Sequence, residues 1–349
     1  MTGVVKLQRR YLRCPVGCGG IFPLDERLGV RSYVTWQGQR LLSLAAGSWS
    51  YDQAAELLQE FCGMRVSDTT IRAIAQQHGG HMRRWQQEEP GACAAFQQAE
   101  GEAEFATDGT SVNTSAGWRE MRVGVFAKRQ RGKARTVVHW EERHLPAPTA
   151  RVAFTGLVRA DSFGGQWRHW ANRLGLKQTD ELTVLADGAR WIWKQVDRHL
   201  PGAHGVLDIY HASAHLHETA AVLHGEQTKA ARRWVESRRR SLLDGGAATV
   251  LKIFADERKT LRSPRHRASL DDLCDYLRPH LAHTGYRHRL LNGQTIGSGI
   301  VEGACKTVIG RRLKQTGARW RIRRVERMAS LCCVLYGRQW DAYWSGQAA

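Results

Sequence analysis

Two short apolar runs, each ending in an aspartate, constrain this chain most. Leu182-Thr-Val-Leu-Ala186 runs into Asp187-Gly188, and Gly205-Val206-Leu207 runs into Asp208. Runs this short and this apolar suit parallel strands buried on both faces. Between them a segment carrying Trp191, Ile192 and Val196 predicts a helix, so the two runs frame a β-α-β unit. A second helix, around Phe163 to Leu174 and rich in Trp167 and Trp170, is expected just before it.

Farther upstream the pattern changes to alternation. Ala103, Phe105 and Thr107 fall on one face of a strand, Ala106 and Asp108 on the other. Met121, Val123, Val125 and Ala127 alternate in a second strand, and Val137-Val138-His139-Trp140 predicts a third. The three are spaced like an antiparallel meander, and the stretch 131–151, with Pro146 and Pro148, predicts a strand and then a loop. The order β-β-β-α-β-α-β is that of an RNase H-like α/β domain with a mixed five-stranded sheet. Around it the chain divides into an irregular cap (1–30), helices (31–95), the strand-rich part (96–215), helices again (216–292) and a basic helical end (293–349).

Three predicted strands therefore end at or near a carboxylate: Asp108, Asp187 and Asp208. Carboxylates at strand ends of an open α/β sheet face the usual ligand crevice. Two or three converging there repel one another unless a cation is present. Hard oxygen ligands suit Mg²⁺, and two such ions roughly 3.5–4 Å apart can clamp both oxygens of a phosphodiester displacement. Any one of these aspartates could equally be a turn former or helix cap. Asp108 is the strongest candidate, and spacing alone does not separate Asp187 from Asp208.

The sharpest motif is Ile296-Gly-Ser-Gly-Ile-Val-Glu302-Gly-Ala-Cys-Lys306. Gly297 and Gly299 predict a tight loop, Ser298 a helix cap, and Glu302 falls in the first helical turn, where the dipole favours an anion. The plain alternative is a surface pair of Glu302 with Lys306. The helix continues through Val308, Ile309 and Leu313. Arg311, Arg312, Lys314, Arg319, Arg321, Arg323 and Arg324 then make a dense basic stretch.

That charge is global. The 349 residues carry 52 Lys+Arg against 33 Asp+Glu, a net charge of +19, and only ten of the cations are lysine. Arginine's planar fork suits phosphate, so the partner expected from charge is a nucleic acid. A helix-turn-helix is expected near the N-terminus. Ser50 and Gln53 form a capping-box pattern before Ala54, Leu57, Leu58 and Phe61, and Ser67 caps a second helix after a turn at 62–66. With Ile71, Ile74 and Ala75 inward, Thr69, Thr70, Arg72, Gln76 and Gln77 are left to face DNA. An ordinary helical hairpin has the same pattern. Mean hydropathy is −0.46 and no apolar run nears membrane-spanning length, so no membrane partner is expected. Without an apolar leader or a dense disulfide framework, a reducing compartment is expected. Cys14 and Cys18 look like half of a zinc ribbon, but zinc needs four ligands and no second close pair follows, so bound zinc is not expected.

Phe105-Ala-Thr-Asp108-Gly-Thr, Leu185-Ala-Asp187-Gly, Asp208-Ile-Tyr-His211, Gly297-Ser-Gly-Ile-Val-Glu302-Gly, the segment 311–320 and the closing Trp340-Asp-Ala-Tyr-Trp344 together resemble bacterial insertion-sequence transposases of the DDE type. The closest likeness is the ISKra group, related to mutator-like transposases, and it covers nearly the whole chain. The resemblance implies an RNase H-like catalytic domain interrupted by a helical insertion at 216–292 and completed by the glutamate helix. It implies the catalytic, metal-holding triad Asp108, Asp187 and Glu302 with two Mg²⁺, for which Mn²⁺ can substitute. Asp208 and His211 match a supporting Asp-x-x-His signature. Asp208, His211 and His215 also share one helical face, an arrangement open to zinc. The expected activity is binding of terminal inverted repeats, cleavage of the ends and joining to target DNA, by at least a dimer in the bacterial cytoplasm at the nucleoid. Arg311, Arg312, Lys314 and Arg319 would neutralise phosphates, with Trp234 and Trp320 as base-stacking candidates. Two rivals are a metal-dependent nuclease or resolvase on the same fold, and a DNA-binding regulator with an inert scaffold.

Overall fold

The computed structural model describes residues 6–30, 33–176, 179 and 181–346. The outer ends of the expected 1–30 and 293–349 units lie outside the described residues. A mixed α/β core is built on five strands: β1 Glu102–Thr114, β2 Gly117–Arg129, β3 Ala150–Gly156, β4 Leu182–Ala186 and β5 His204–Leu207. Their spatial order is β3-β2-β1-β4-β5. β1 to β3 form the antiparallel meander, while β4 and β5 run parallel to β1.

The third strand is not where the sequence placed it. Val137–Glu142 is a 3-10 turn with Val138 exposed, and the edge of the sheet is Ala150–Gly156. Two adjacent β-branched residues resemble a strand, but only the later segment offers apolar side chains to both faces. Val152 and Phe154 enter one layer and Ala153 the other.

Alternation along the strands sorts the core into two layers. Phe105, Phe126, Phe154 and Val184 pack on Trp167 and Trp170 of α4 (Trp167–Arg173) and on Ile192 of α5 (Arg190–His199). The helix numbering begins with α1 Trp36–Ser48, α2 Tyr51–Cys62 and α3 Asp68–Glu88. Ala106, Val123, Val125 and Leu185 face the opposite layer, which holds these N-terminal helices together with helices from the end of the chain. That second layer includes α6 Ile209–His224, α7 Lys229–Thr260 and α8 Pro264–Leu277. It also includes α9 Gly299–Ala304 and α10 Ile322–Tyr336.

Helix α7 is broken at Gly246, whose φ of 67° lies in the left-handed region. Its two arms fold against each other, with Trp234 stacked on Phe254 at 5.7 Å and its indole N–H given to Glu257. Trp234 is thus a core residue, and the stacking role considered for it does not stand. At the other end of the chain, Cys14 and Cys18 are joined as a disulfide and in that form offer no thiolate to a metal. Among the described residues no helix is long and apolar enough to cross a membrane.

Candidate active site

Asp108 does not end its strand, as the sequence suggested: β1 runs on to Thr114 and Asp108 lies in its middle, opposite Val123. Register still brings the three aspartates together. Ala106 of β1 pairs with Leu185 of β4, so Asp108 and Asp187, each two residues on, continue the same row. Ala186 pairs with Leu207 of β5, which puts Asp208 on that row beside Asp187. Ala106, Leu185 and Val206 all enter the second layer, and the period of two sends Asp108, Asp187 and Asp208 toward the same face. Adjacent strands lie ~4.8 Å apart, so three carboxylates gather where β4 and β5 end alongside the middle of β1.

They are not equivalent. Asp208 is fully buried, and both of its oxygens are engaged. Oδ1 accepts from the backbone N–H groups of Tyr210 and His211, capping α6 at 2.6 and 3.1 Å. Oδ2 accepts from the Ser298 hydroxyl at 2.6 Å and from the Ser298 backbone N–H. Ser298 therefore does not cap α9 with its side chain, as the sequence suggested; it ties the glutamate loop to the start of α6. Ile209 N–H to the Ile296 carbonyl adds a second tie. Asp108 and Asp187 are half-buried. Each uses one oxygen for a local backbone bond, to Gly109 N–H at 2.6 Å and to Ala189 N–H at 2.9 Å. Lone pairs remain on both.

Glu302 sits in the first turn of α9, half-buried. Lys306 approaches it only to 4.0 Å and is itself exposed. One ligand atom each from Asp208, His211 and Glu302 lies within 4.8 Å of the other two. Asp108 belongs to the same electrostatic neighbourhood. Its carboxyl is held above the ordinary range, first by burial and then by the charges of Asp187 and Glu302, against lowering by Gly109 N–H and His211. His215 does not complete a zinc trio with Asp208 and His211; it pairs with Glu218 at 3.2 Å and packs on Tyr276.

Two neighbours of this centre gave no sequence signal. The Cys305 thiol faces Asp108 Oδ2 at 3.9 Å, and burial, followed by Asp108, pushes its pKa up to about 12. It lies one helical turn past Glu302, at the start of a π-helical turn over Cys305–Gly310. Tyr276, from α8, packs so closely on Gly188 that a Cβ there would meet its ring at 2.1 Å. Burial, then Asp187 and Asp208, raise its hydroxyl pKa. Thus the 216–292 segment reaches the acidic centre.

The basic candidates split into two groups. Thr69, Gln77, Arg311, Lys314 and Arg319 are exposed, and Thr70 and Arg72 are half-exposed. Lys314 gives its ammonium to the Thr110 hydroxyl, two residues beyond Asp108. Gln76, Arg312 and Trp320 are buried. Gln76 donates to Tyr51 and to the Arg324 carbonyl, because α10 covers that side of α3. The Arg312 guanidinium bonds the Ala46 carbonyl and lies over the Tyr51 and Trp320 rings. Trp320 gives its N–H to the Leu313 carbonyl, and its backbone pairs with Asn113 and Ser115 at the tip of the β1–β2 hairpin. These three brace the basic segment, and their burial leaves only a small part of each exposed. Ser50 and Ser67 do cap α2 and α3, accepting from Gln53 and Thr70 N–H.

No model of a known protein family matches the chain, and no curated protein is significantly similar to it.

Proposed function

We propose that the chain is a DDE-type DNA transposase on an RNase H-like fold. It would bind the terminal inverted repeats of its element, cleave the ends and join them to target DNA. The observation that carries this reading is the shared row of Asp108 and Asp187 on neighbouring strands, continued by Asp208, against which Glu302 from the far end of the chain gathers with His211. The strand order β3-β2-β1-β4-β5, antiparallel then parallel, supports the fold assignment.

The donor set fits a hard divalent cation. Asp108, Asp187 and Glu302 supply carboxylate oxygens, and two of these residues keep unengaged lone pairs. Asp208 is the poorer ligand, since its oxygens are already occupied. These three residues would hold Mg²⁺ or Mn²⁺, which when bound supplies Lewis acidity to phosphodiester cleavage and transfer. Asp208 and Ser298 fix the angle between α6 and α9, and thereby the position of Glu302. His211 lies in the same cluster as Glu302 and Asp208. Lys314, anchored on β1 through the Thr110 hydroxyl, would meet a phosphate. A dimer in the bacterial cytoplasm fits the need to handle two DNA ends.

A strand-transfer assay tests the reading. The chain is mixed with DNA carrying its element's ends and a supercoiled target, in Mg²⁺ or EDTA. Metal-dependent joined products, absent with Asp108→Asn, are expected. Cutting without joining favours the nuclease, and binding alone the regulator.

A further inference from the structure

Helices α3 and α10 meet at their backbones. A Cβ on Gly79 would lie 2.2 Å from the Arg327 carbonyl oxygen. The two helices border a groove of about 790 Å³. Arg72, Arg83 and Arg84 line one wall, and Arg323, Arg324 and Arg327 the other. Arg83 pairs with Glu326 at 3.7 Å. Among the described residues the other five have no carboxylate in ion-pair reach. Six guanidiniums with one carboxylate along one groove make it strongly cationic, which favours an anion from outside.

The shape narrows the choice of anion. From Arg72 to Arg84 the wall extends ~18 Å at 1.5 Å per residue, several phosphate spacings of ~3.4 Å along a duplex strand. A small anion would need one cluster, not a line. No Phe, Tyr or Trp lines the groove, so it lacks the stacking platform that single strands use. Arg72 and Arg324 also line a neighbouring cleft formed with Arg319 and Arg321. The track therefore continues into the segment whose Lys314 is anchored beside Asp108.

We propose that the α3–α10 groove grips the sugar-phosphate backbone of duplex DNA, one strand passing between the arginines of the two helices. This differs from insertion of α3 as a reading helix, because the face of α3 that carries Gln76 and Gly79 is packed against α10. It deepens the reading of the chain as a DNA-handling protein, and rests on that reading for the identity of the polyanion. The grip is sequence-independent and electrostatic.

The test is fluorescence anisotropy of the full chain with two labelled duplexes of unrelated sequence, in EDTA, across a salt series. Arg84→Gln and Arg323→Gln alter exposed side chains. They are examined as a pair and with Arg327→Gln added, circular dichroism verifying the fold. The triple variant is expected to lose the same factor of affinity, tenfold or more, on both duplexes. Its log-log salt slope should shrink by ~2–3, at ~0.9 for each phosphate no longer neutralised; the pair alone should lose ~2. Arg258→Gln, at an exposed arginine paired with Asp271, should change the slope little. An unchanged slope overturns the proposal, as does a loss confined to one duplex, which would mark α3 as a base reader. An equal loss in Arg258→Gln overturns it too, since net charge alone would then explain the effect. Groove-dependent binding with no cleavage in Mg²⁺ would sink the transposase reading and leave this proposal standing.

Discussion

The acidic centre and the basic groove both gather like charges, and they do so by opposite means. At the centre the backbone imposes the crowding: strand register aligns Asp108, Asp187 and Asp208, and α9 adds Glu302. The carboxylates are short, half-buried or buried, and braced by neighbouring N–H groups. In the groove two helices touch at Gly79, and long arginines reach out from them on flexible stems. A braced cluster of short acids suits a small ion at fixed positions. A row of mobile forks suits a polymer whose phosphates vary in position.

Breaking each region should therefore fail differently. The largest effect is expected at the centre: Asp108→Asn should reduce cleavage by about 10³-fold or more while end binding, measured by anisotropy, stays at the wild-type level. A variant that binds poorly and cuts normally would reverse the assignment of the two regions. Next comes Asp208→Ala, which removes the acceptor for two backbone N–H groups of α6, the Ser298 hydroxyl and its N–H. We expect a loss of about 2–4 kcal/mol in denaturant unfolding. Asp187→Asn, whose side chain makes one backbone bond, should cost far less stability.

Gly79→Ala sharpens the comparison from the other side. In an isolated helix alanine is favoured over glycine, yet here the added carbon meets the Arg327 carbonyl. The expected sign is destabilising, about 1–3 kcal/mol, with a reduced salt slope for DNA binding as the walls separate. A stabilised variant would mean that the helices do not touch in this way. The pH response should come from His283, stacked on Trp193 at 4.0 Å with its pKa lowered to about 4, first by burial and then by His280. The unfolded chain binds that proton more readily, so stability should fall as pH drops from ~6.5 toward 4. The loss should be modest, about 1–2 kcal/mol after solvent screening, and should shrink in His283→Gln, the remainder coming from His280 and His199, whose pKa values burial also lowers. Smallest of all, Lys306→Ala should change stability by less than about 0.5 kcal/mol.

Much of the sheet was legible because its signals are local. The alternation of Ala103 to Asp108 and the short run 182–186 encode both the strands and their faces. The third strand was misplaced because Val137-Val138 satisfies β-propensity without the two-sided burial that Val152, Ala153 and Phe154 provide. Side-chain roles in the basic region were less legible. Gln76, Arg312 and Trp320 look solvent-facing until α10 packs on the first, α1 and α2 on the second and the β1–β2 hairpin tip on the third, and those partners lie more than 200 residues away in sequence. The same holds for Cys305 and Tyr276, which reach the acidic centre from elements whose docking no local pattern announces.

The central claim is that Asp108, Asp187 and Glu302 form the metal centre, rather than the tighter trio of Asp208, His211 and Glu302. Mn²⁺ titration by calorimetry, on the wild type, Asp187→Asn and His211→Ala, separates the two sets without disturbing buried Asp208. Binding should be abolished in Asp187→Asn and retained, within about tenfold to a hundredfold, in His211→Ala. Wild-type Mn²⁺ binding by Asp187→Asn together with none by His211→Ala would contradict the account and move the centre to the Asp208 side.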